Sequence, residues 1–342
     1  MRMNETASCK ITNLTFACTL AIVLLHLRLA GVGRHMPFAA FEKAAIIAVP
    51  TFFAISGFLL SQRIGGCGWY LPMLHKRFLS LVVPYVAINA LYIPSLYVYH
   101  NILGLGDWSG GGLSLNWYTV SRIWGLTPKY HPACGPFWYI RCLIMFLVLS
   151  PMLTAVIKRS GRAAVTFLIV LFFGVSLVGP LLARQGLSNF AYSFFNLRGL
   201  FFFAAGIAYG YWGRVVPQWS TAVSCLFGAC LLSLSEMFGI HYSALSLLSL
   251  LLYVFAAFLM MPAVNLPSWM TASSFAIYSL HMLLYLTHAA LVKRLGISGL
   301  YEQDMFLWTT PLALTLGACY GITYLVRRYA PFVGRVLFGG RC

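Results

Sequence analysis

The sequence predicts an all-α protein, a polytopic membrane bundle of about ten transmembrane helices forming one domain over residues 1–342. Three observations predict it. Apolar residues make up 61% of the chain and charged residues only 8%, against about 25% charged in a soluble domain. The apolar residues fall into runs of spanning length, broken by basic residues or by Gly and Pro clusters. The charge is lopsided, with 23 Lys and Arg against 6 Asp and Glu, a net of +17. In a soluble protein that excess would point to nucleic acid. Here the basic residues lie between apolar runs, where the positive-inside rule, anionic lipids and phosphate ligands account for them and no nucleic-acid partner is expected.

The runs place spans at about 12–32, 44–62, 79–98, 137–157, 163–183, 195–213, 219–239, 243–263, 270–292 and 305–326. The first starts behind a weakly basic segment and carries His26. Its apolar stretch over 14–27 also resembles a signal-peptide core, but no small-x-small cleavage site follows, so a retained span is expected. The second ends in Phe-Phe-Ala-Ile-Ser-Gly-Phe-Leu-Leu, residues 52–60, whose Ser56-Gly57 pair would let helix backbones approach closely. The third follows Lys76-Arg77 and contains Pro84. Residues 99–136 form the long outer loop, rich in Gly (104, 106, 110, 111, 112) and Trp (108, 117, 124). They suit an interfacial anchor or a lid over a sugar-binding cleft.

The fourth span opens near Arg141, and the ninth holds His281 and His288, seven residues apart and so about 20° from alignment on one face. The tenth is followed by a basic tail. An even number of spans puts both termini on one side. The basic tail and the Arg63-to-Arg77 segment place that side in the cytoplasm. The nine Cys are scattered with no CxxC pair, which argues against a zinc site or a disulfide framework, so no metal is expected.

Ionisable side chains inside spans are expensive and by default mark function. His26, Arg141, His281 and His288 are the ones that stand out. No Asp or Glu lies clearly in mid-span, which disfavours a proton-driven pump. A transporter or flippase with a polar path lined by His26, Arg141 and His281 is nevertheless the alternative reading.

Taken in order, several segments resemble the acyltransferase family 3 of integral membrane acyltransferases, over nearly the whole chain. Leu24-Leu25-His26 ends the first span. Pro50-Thr51-Phe52-Phe53-Ala54-Ile55-Ser56-Gly57-Phe58-Leu59-Leu60 is similar to the family's P-x-F-F-x-I-S-G-F-L-L signature. Lys76-Arg77 followed by Leu81-Val82-Val83-Pro84-Tyr85 resembles its basic pair before L-x-x-P-Y. Phe137-Trp138-Tyr139-Ile140-Arg141 resembles W-F-L-R, and Phe275-Ala276-Ile277-Tyr278-Ser279-Leu280-His281 its F-x-I-Y-x-x-H helix.

The resemblance implies an enzyme that takes an acyl group, usually acetyl, from cytoplasmic acyl-CoA. That group would pass to a hydroxyl of a cell-surface glycan or lipid-linked sugar. It implies a bacterial inner-membrane location, membrane lipids as surroundings and no cofactor beyond acyl-CoA as co-substrate. Because the chain ends soon after its last span, the expectation is action alone or with a separate periplasmic or glycan-assembly partner. His26 matches the family's first-span catalytic histidine, and Arg77 its acyl-donor position. Two positions depart from the family pattern. Thr15 stands where relatives carry a basic residue eleven before the histidine, and Cys142 where they often carry Asp.

Acyl transfer to an alcohol needs a base, and a neutral imidazole suits that task near neutral pH. It also needs a donor or cation for the developing oxyanion. Arg141 is the candidate for that role, with Tyr278, His281 and Ser56 as further acceptor or oxyanion contacts. Arg63, Lys76 and Arg77 would hold the phosphates of CoA.

Overall fold

The computed structural model describes residues 5–29, 45–63, 68–102, 117–124, 132–184, 196–212, 219–237, 243–296 and 305–340. Among these every regular element is helical. In hydrocarbon each backbone N–H and C=O must be satisfied within its own segment, which an apolar helix does and an open strand does not.

Helix α1 runs Glu5–Leu29 and α2 Ala48–Ser61. Helix α3, Tyr70–Arg77, passes through a π-helical segment, Phe78–Val82, into α4, Val83–Tyr97, which ends in a second π segment at Val98–Ile102. Helix α5 is Trp117–Trp124. A 3-10 turn at Gly135–Phe137 leads into α6, Trp138–Arg184. There follow α7 Leu197–Trp212, α8 Trp219–Met237, α9 Ser243–Met260, α10 Ser268–Ala272, α11 Ser274–Arg294, α12 Met305–Tyr329 and α13 Pro331–Phe338.

Among the described residues five stretches are long and apolar enough to cross a membrane: Glu5–His26, Tyr70–Tyr97, Gly135–Val156, Ser274–Val292 and Thr309–Tyr329. Shorter apolar helices lie at Ala48–Ser61, Gly161–Leu171, Trp219–Leu234 and Leu245–Met260. The expected third span is longer than its apolar run, because helical structure begins upstream at Tyr70. The expected fourth and fifth spans are two helices within α6 that meet at Gly161, whose φ 59°, ψ −134° is not helical and is open to glycine at no steric cost. Of the expected lid, residues 103–116 and 125–131 lie outside the described residues. The helix between them exposes Trp117 and Trp124.

The chain divides into two compact units. The first comprises residues 1–18, 47–74 and 142–266. Its core is the pairing of α2 with α7 at very close range. A Cβ on Gly57 would lie 1.9 Å from the Phe203 carbonyl oxygen, and one on Gly206 1.9 Å from that of Ala54. Glycine is what permits this approach. Phe53 packs across Gly199 and against Phe146, which in turn meets Phe203. Helices α8 and α9 pack on each other, with the hydroxyls of Ser233 and Tyr253 3.2 Å apart. The start of α1 closes the end of α9: Lys10 Nζ donates to the Leu259 carbonyl at 2.8 Å, and Asn13 Nδ2 to those of Pro262 and Val264 at 3.0 and 2.8 Å. Helix ends leave carbonyls unsatisfied, and these side chains supply the missing donors.

The second unit comprises residues 19–46, 75–141 and 267–342. Its central element is α11, which packs against α12, α4, α13 and the 3-10 turn and is buried along most of 274–286. Pro331 opens α13, where its absent N–H is no loss, and Gly339 closes it at φ 66°, against the backbone of Ser80.

Candidate active site

Three of the sequence fragments singled out above meet in the second unit. Phe137 stacks between Tyr85 of α4, at 5.7 Å and 19°, and Tyr278 of α11, at 5.8 Å and 10°. The Tyr278 hydroxyl donates to the Pro136 carbonyl, and Tyr139 meets the same ring edge-on. Asn89, fully buried, donates from Nδ2 to the Tyr85 carbonyl and accepts the Cys134 N–H on Oδ1, each at 2.8 Å. This lattice fixes the turn that begins α6 against α4 and α11. Arg141, 4% exposed, lies in the first turn of α6 directly beyond it.

One turn after Tyr278, α11 presents His281, which is completely buried. Its Nδ1 lies 3.1 Å from the Ile277 carbonyl oxygen and its Nε2 3.3 Å from Nδ1 of His26. His26 is half-buried, and its Nδ1 is also 2.8 Å from the Ile22 carbonyl oxygen. The two rings are 5.0 Å apart and tilted by 51°. A carbonyl oxygen can only accept, so each Nδ1 carries the proton in the neutral pair. His26 is thereby left with its unshared electron pair on Nε2. Tyr285 meets His281 edge-on at 6.0 Å and donates its hydroxyl to the Val23 carbonyl at 3.1 Å, tying α11 to α1 one turn before His26.

Sequence reasoning did not find Tyr92. Its buried hydroxyl accepts the Leu283 N–H at 3.1 Å and donates to the Ser279 carbonyl at 2.9 Å. In an uninterrupted helix those two groups bond to each other. Helix α11 is continuous over this turn, and the Tyr92 hydroxyl touches both ends of the turn that carries His281. Nothing in the spacing of α4 marks Tyr92 apart from its neighbours.

The remaining candidates are distributed as follows. Lys76 is exposed and Arg77 half-buried at the end of α3, both in the second unit; Ser56 of α2 and exposed Arg63 belong to the first. Of the further acceptor or oxyanion candidates, Tyr278 donates its hydroxyl to the Pro136 carbonyl, and His281 is buried with its ring against His26. Thr15, on the face of α1 that carries His26 three turns on, returns its hydroxyl to the Ile11 carbonyl at 2.7 Å. Among the described residues no group of three His, Cys, Asp or Glu side chains gathers as a metal set. The first unit also holds a small apolar cavity of about 50 Å³, lined by residues including Ile11, Thr51, Phe58, Tyr209 and Phe258. Its lining has no charged side chain and so suits hydrocarbon rather than phosphate.

Spanning-length helices, two of which bring a pair of imidazoles into contact, mark an integral membrane protein. A family model described as an acyltransferase domain matches residues 13–326, nearly the entire chain. The chain belongs to this family, acyltransferase family 3, and is a membrane acyltransferase. No curated protein and no solved structure matches it.

Proposed function

We propose that the protein moves an acyl group, acetyl by preference, from acyl-CoA to a hydroxyl of a cell-surface glycan or lipid-linked sugar, with His26 as general base. The observation that carries this reading is the bonding of the His26 ring. Its Nδ1–H is held by the Ile22 carbonyl, so the nitrogen left to take a proton is Nε2. The acceptor hydroxyl gives its proton to Nε2 as its oxygen attacks the thioester carbonyl. The tetrahedral oxyanion then collapses, the C–S bond breaks, and the CoA thiolate recovers the proton from Nε2 to leave as the free thiol. The ester remains on the acceptor and the enzyme is unchanged.

Arg141, buried in the same unit, is the cation assigned to the oxyanion, where a guanidinium offers both charge and directed N–H groups. Arg77 and Lys76 are assigned to the phosphates of CoA, with Arg63 as a further cation on the same side of the membrane. The reading places the protein in a bacterial inner membrane with both termini in the cytoplasm. A separate periplasmic or glycan-assembly partner would receive or present the acceptor.

The test uses membrane vesicles from cells carrying the gene, supplied with radiolabelled acetyl-CoA on the cytoplasmic side. Label should enter the glycan or lipid-sugar fraction as an alkali-labile ester. His26→Ala should lower that incorporation by about 100-fold or more while the protein still inserts and elutes as a single species in detergent. Full incorporation by His26→Ala would overturn the assignment. Translocation of polar lipid without CoA-dependent ester formation would favour a transporter instead.

A further inference from the structure

We propose that His281 is a positioning residue for the acyl transfer, the neutral hydrogen-bond acceptor that aligns His26 and steadies its imidazolium. In this role it occupies the place that a carboxylate holds in an Asp-His-Ser arrangement. The inference rests on the general-base reading of His26 and adds to it a partner on another helix.

The geometry supports this in three ways. The Ile277 carbonyl holds the proton of His281 on Nδ1, so in the neutral ring Nε2 has only an unshared pair to offer. That pair faces His26 Nδ1 at 3.3 Å. The His26 N–H is therefore shared between two acceptors, the Ile22 oxygen and the His281 nitrogen. When Nε2 of His26 accepts the hydroxyl proton, the ring gains a charge, and its Nδ1–H becomes a charge-assisted donor to both, about twice as strong as a neutral one. No proton needs to cross to His281, and return of the Nε2 proton to the departing thiolate restores the starting pair.

The second support is rigidity. His281 lies in the helix turn whose two ends the Tyr92 hydroxyl bonds, with Tyr278 at 6.3 Å and Tyr285 at 6.0 Å on its ring. Tyr285 also ties its helix to the Val23 carbonyl of α1. An imidazole held on both nitrogens and wedged among phenol rings has little freedom to turn, which is what an aligning partner requires. The third is contact: the side chain within hydrogen-bond distance of His26 Nδ1 is His281.

Two substitutions separate the parts of this role. In His281→Asn the amide can keep the bond to the Ile277 carbonyl but cannot reach His26. In His281→Gln the amide oxygen can take the place of Nε2 as the acceptor and cannot be protonated. With the full chain in membrane vesicles and acetyl-CoA as the probe, His281→Asn should lower the maximal rate about 100-fold and leave the KM for acetyl-CoA within twofold. His281→Gln should recover at least one tenth of the wild-type rate. Detergent elution profiles establish that each variant folds, and the contrast between the two holds even where both are somewhat less stable. A normal rate in His281→Asn would overturn the proposal. So would equal loss in both variants, or a raised KM with an unchanged maximal rate. His26→Ala in the same assay keeps the two readings apart. Activity there removes the base, whereas an inactive His26→Ala beside a fully active His281→Asn removes only the partner.

Discussion

Tyr92 shows how much a single hydroxyl can decide at this site. It bonds both the Leu283 N–H and the Ser279 carbonyl, the two ends of one turn of α11. Tyr92→Phe removes both contacts while the helix stays continuous, so the net loss of stability should stay near 1 kcal/mol, while the acyl-transfer rate falls because the turn carrying His281 loses its tie to α4. Thermal unfolding in detergent beside vesicle assays would check both. Asn89 is the opposite case, since its carbonyl oxygen is the partner of the buried Cys134 N–H. Asn89→Leu leaves that donor orphaned and should cost about 1–3 kcal/mol, read as a fall in the unfolding midpoint. On the donor side, Arg77→Ala should raise the KM for acetyl-CoA by about tenfold with little change in maximal rate, if Arg77 holds a phosphate. An unchanged KM would remove it from the acyl-donor site.

Among the elements, the α2–α7 pair is the tightest. Backbone oxygens lie where the Cβ of Gly57 or Gly206 would go, and a backbone cannot swing aside as a side chain can. Gly57→Ala and Gly206→Ala should therefore each destabilise by at least about 2 kcal/mol, seen as a lowered unfolding midpoint and reduced yield of monodisperse protein. Gly174→Ala, with nothing near its Cβ, is the control and should leave the midpoint unchanged or slightly raised. The Ser56-Gly57 step was legible in the sequence as a place of close approach, because small residues in an apolar run have few other uses. Its partner was not, since composition alone does not say which helix face comes near. Likewise Lys10, a basic residue before an apolar run, reads in sequence as a topology signal. In the fold its ammonium also closes the end of α9.

For the molecule as a whole, helical class, membrane embedding and family were all legible from residues that local rules govern. Apolar runs must become helices in lipid, and the motif fragments lie in a fixed order along the chain. The prediction at this scale is that reporter fusions at either terminus read as cytoplasmic, and that surface glycans lose an ester on deletion of the gene, as mass spectrometry would register. The sequence by itself also picked out His26 and His281 as costly imidazoles in apolar surroundings. What only the tertiary structure decided is that they touch each other, that Tyr278 donates to Pro136, and that Tyr92 bonds the helix turn beside them. Helical periodicity determines which residues share a face of one helix. It carries no information about which face of another helix, 255 residues away in the case of His26 and His281, will be packed against it.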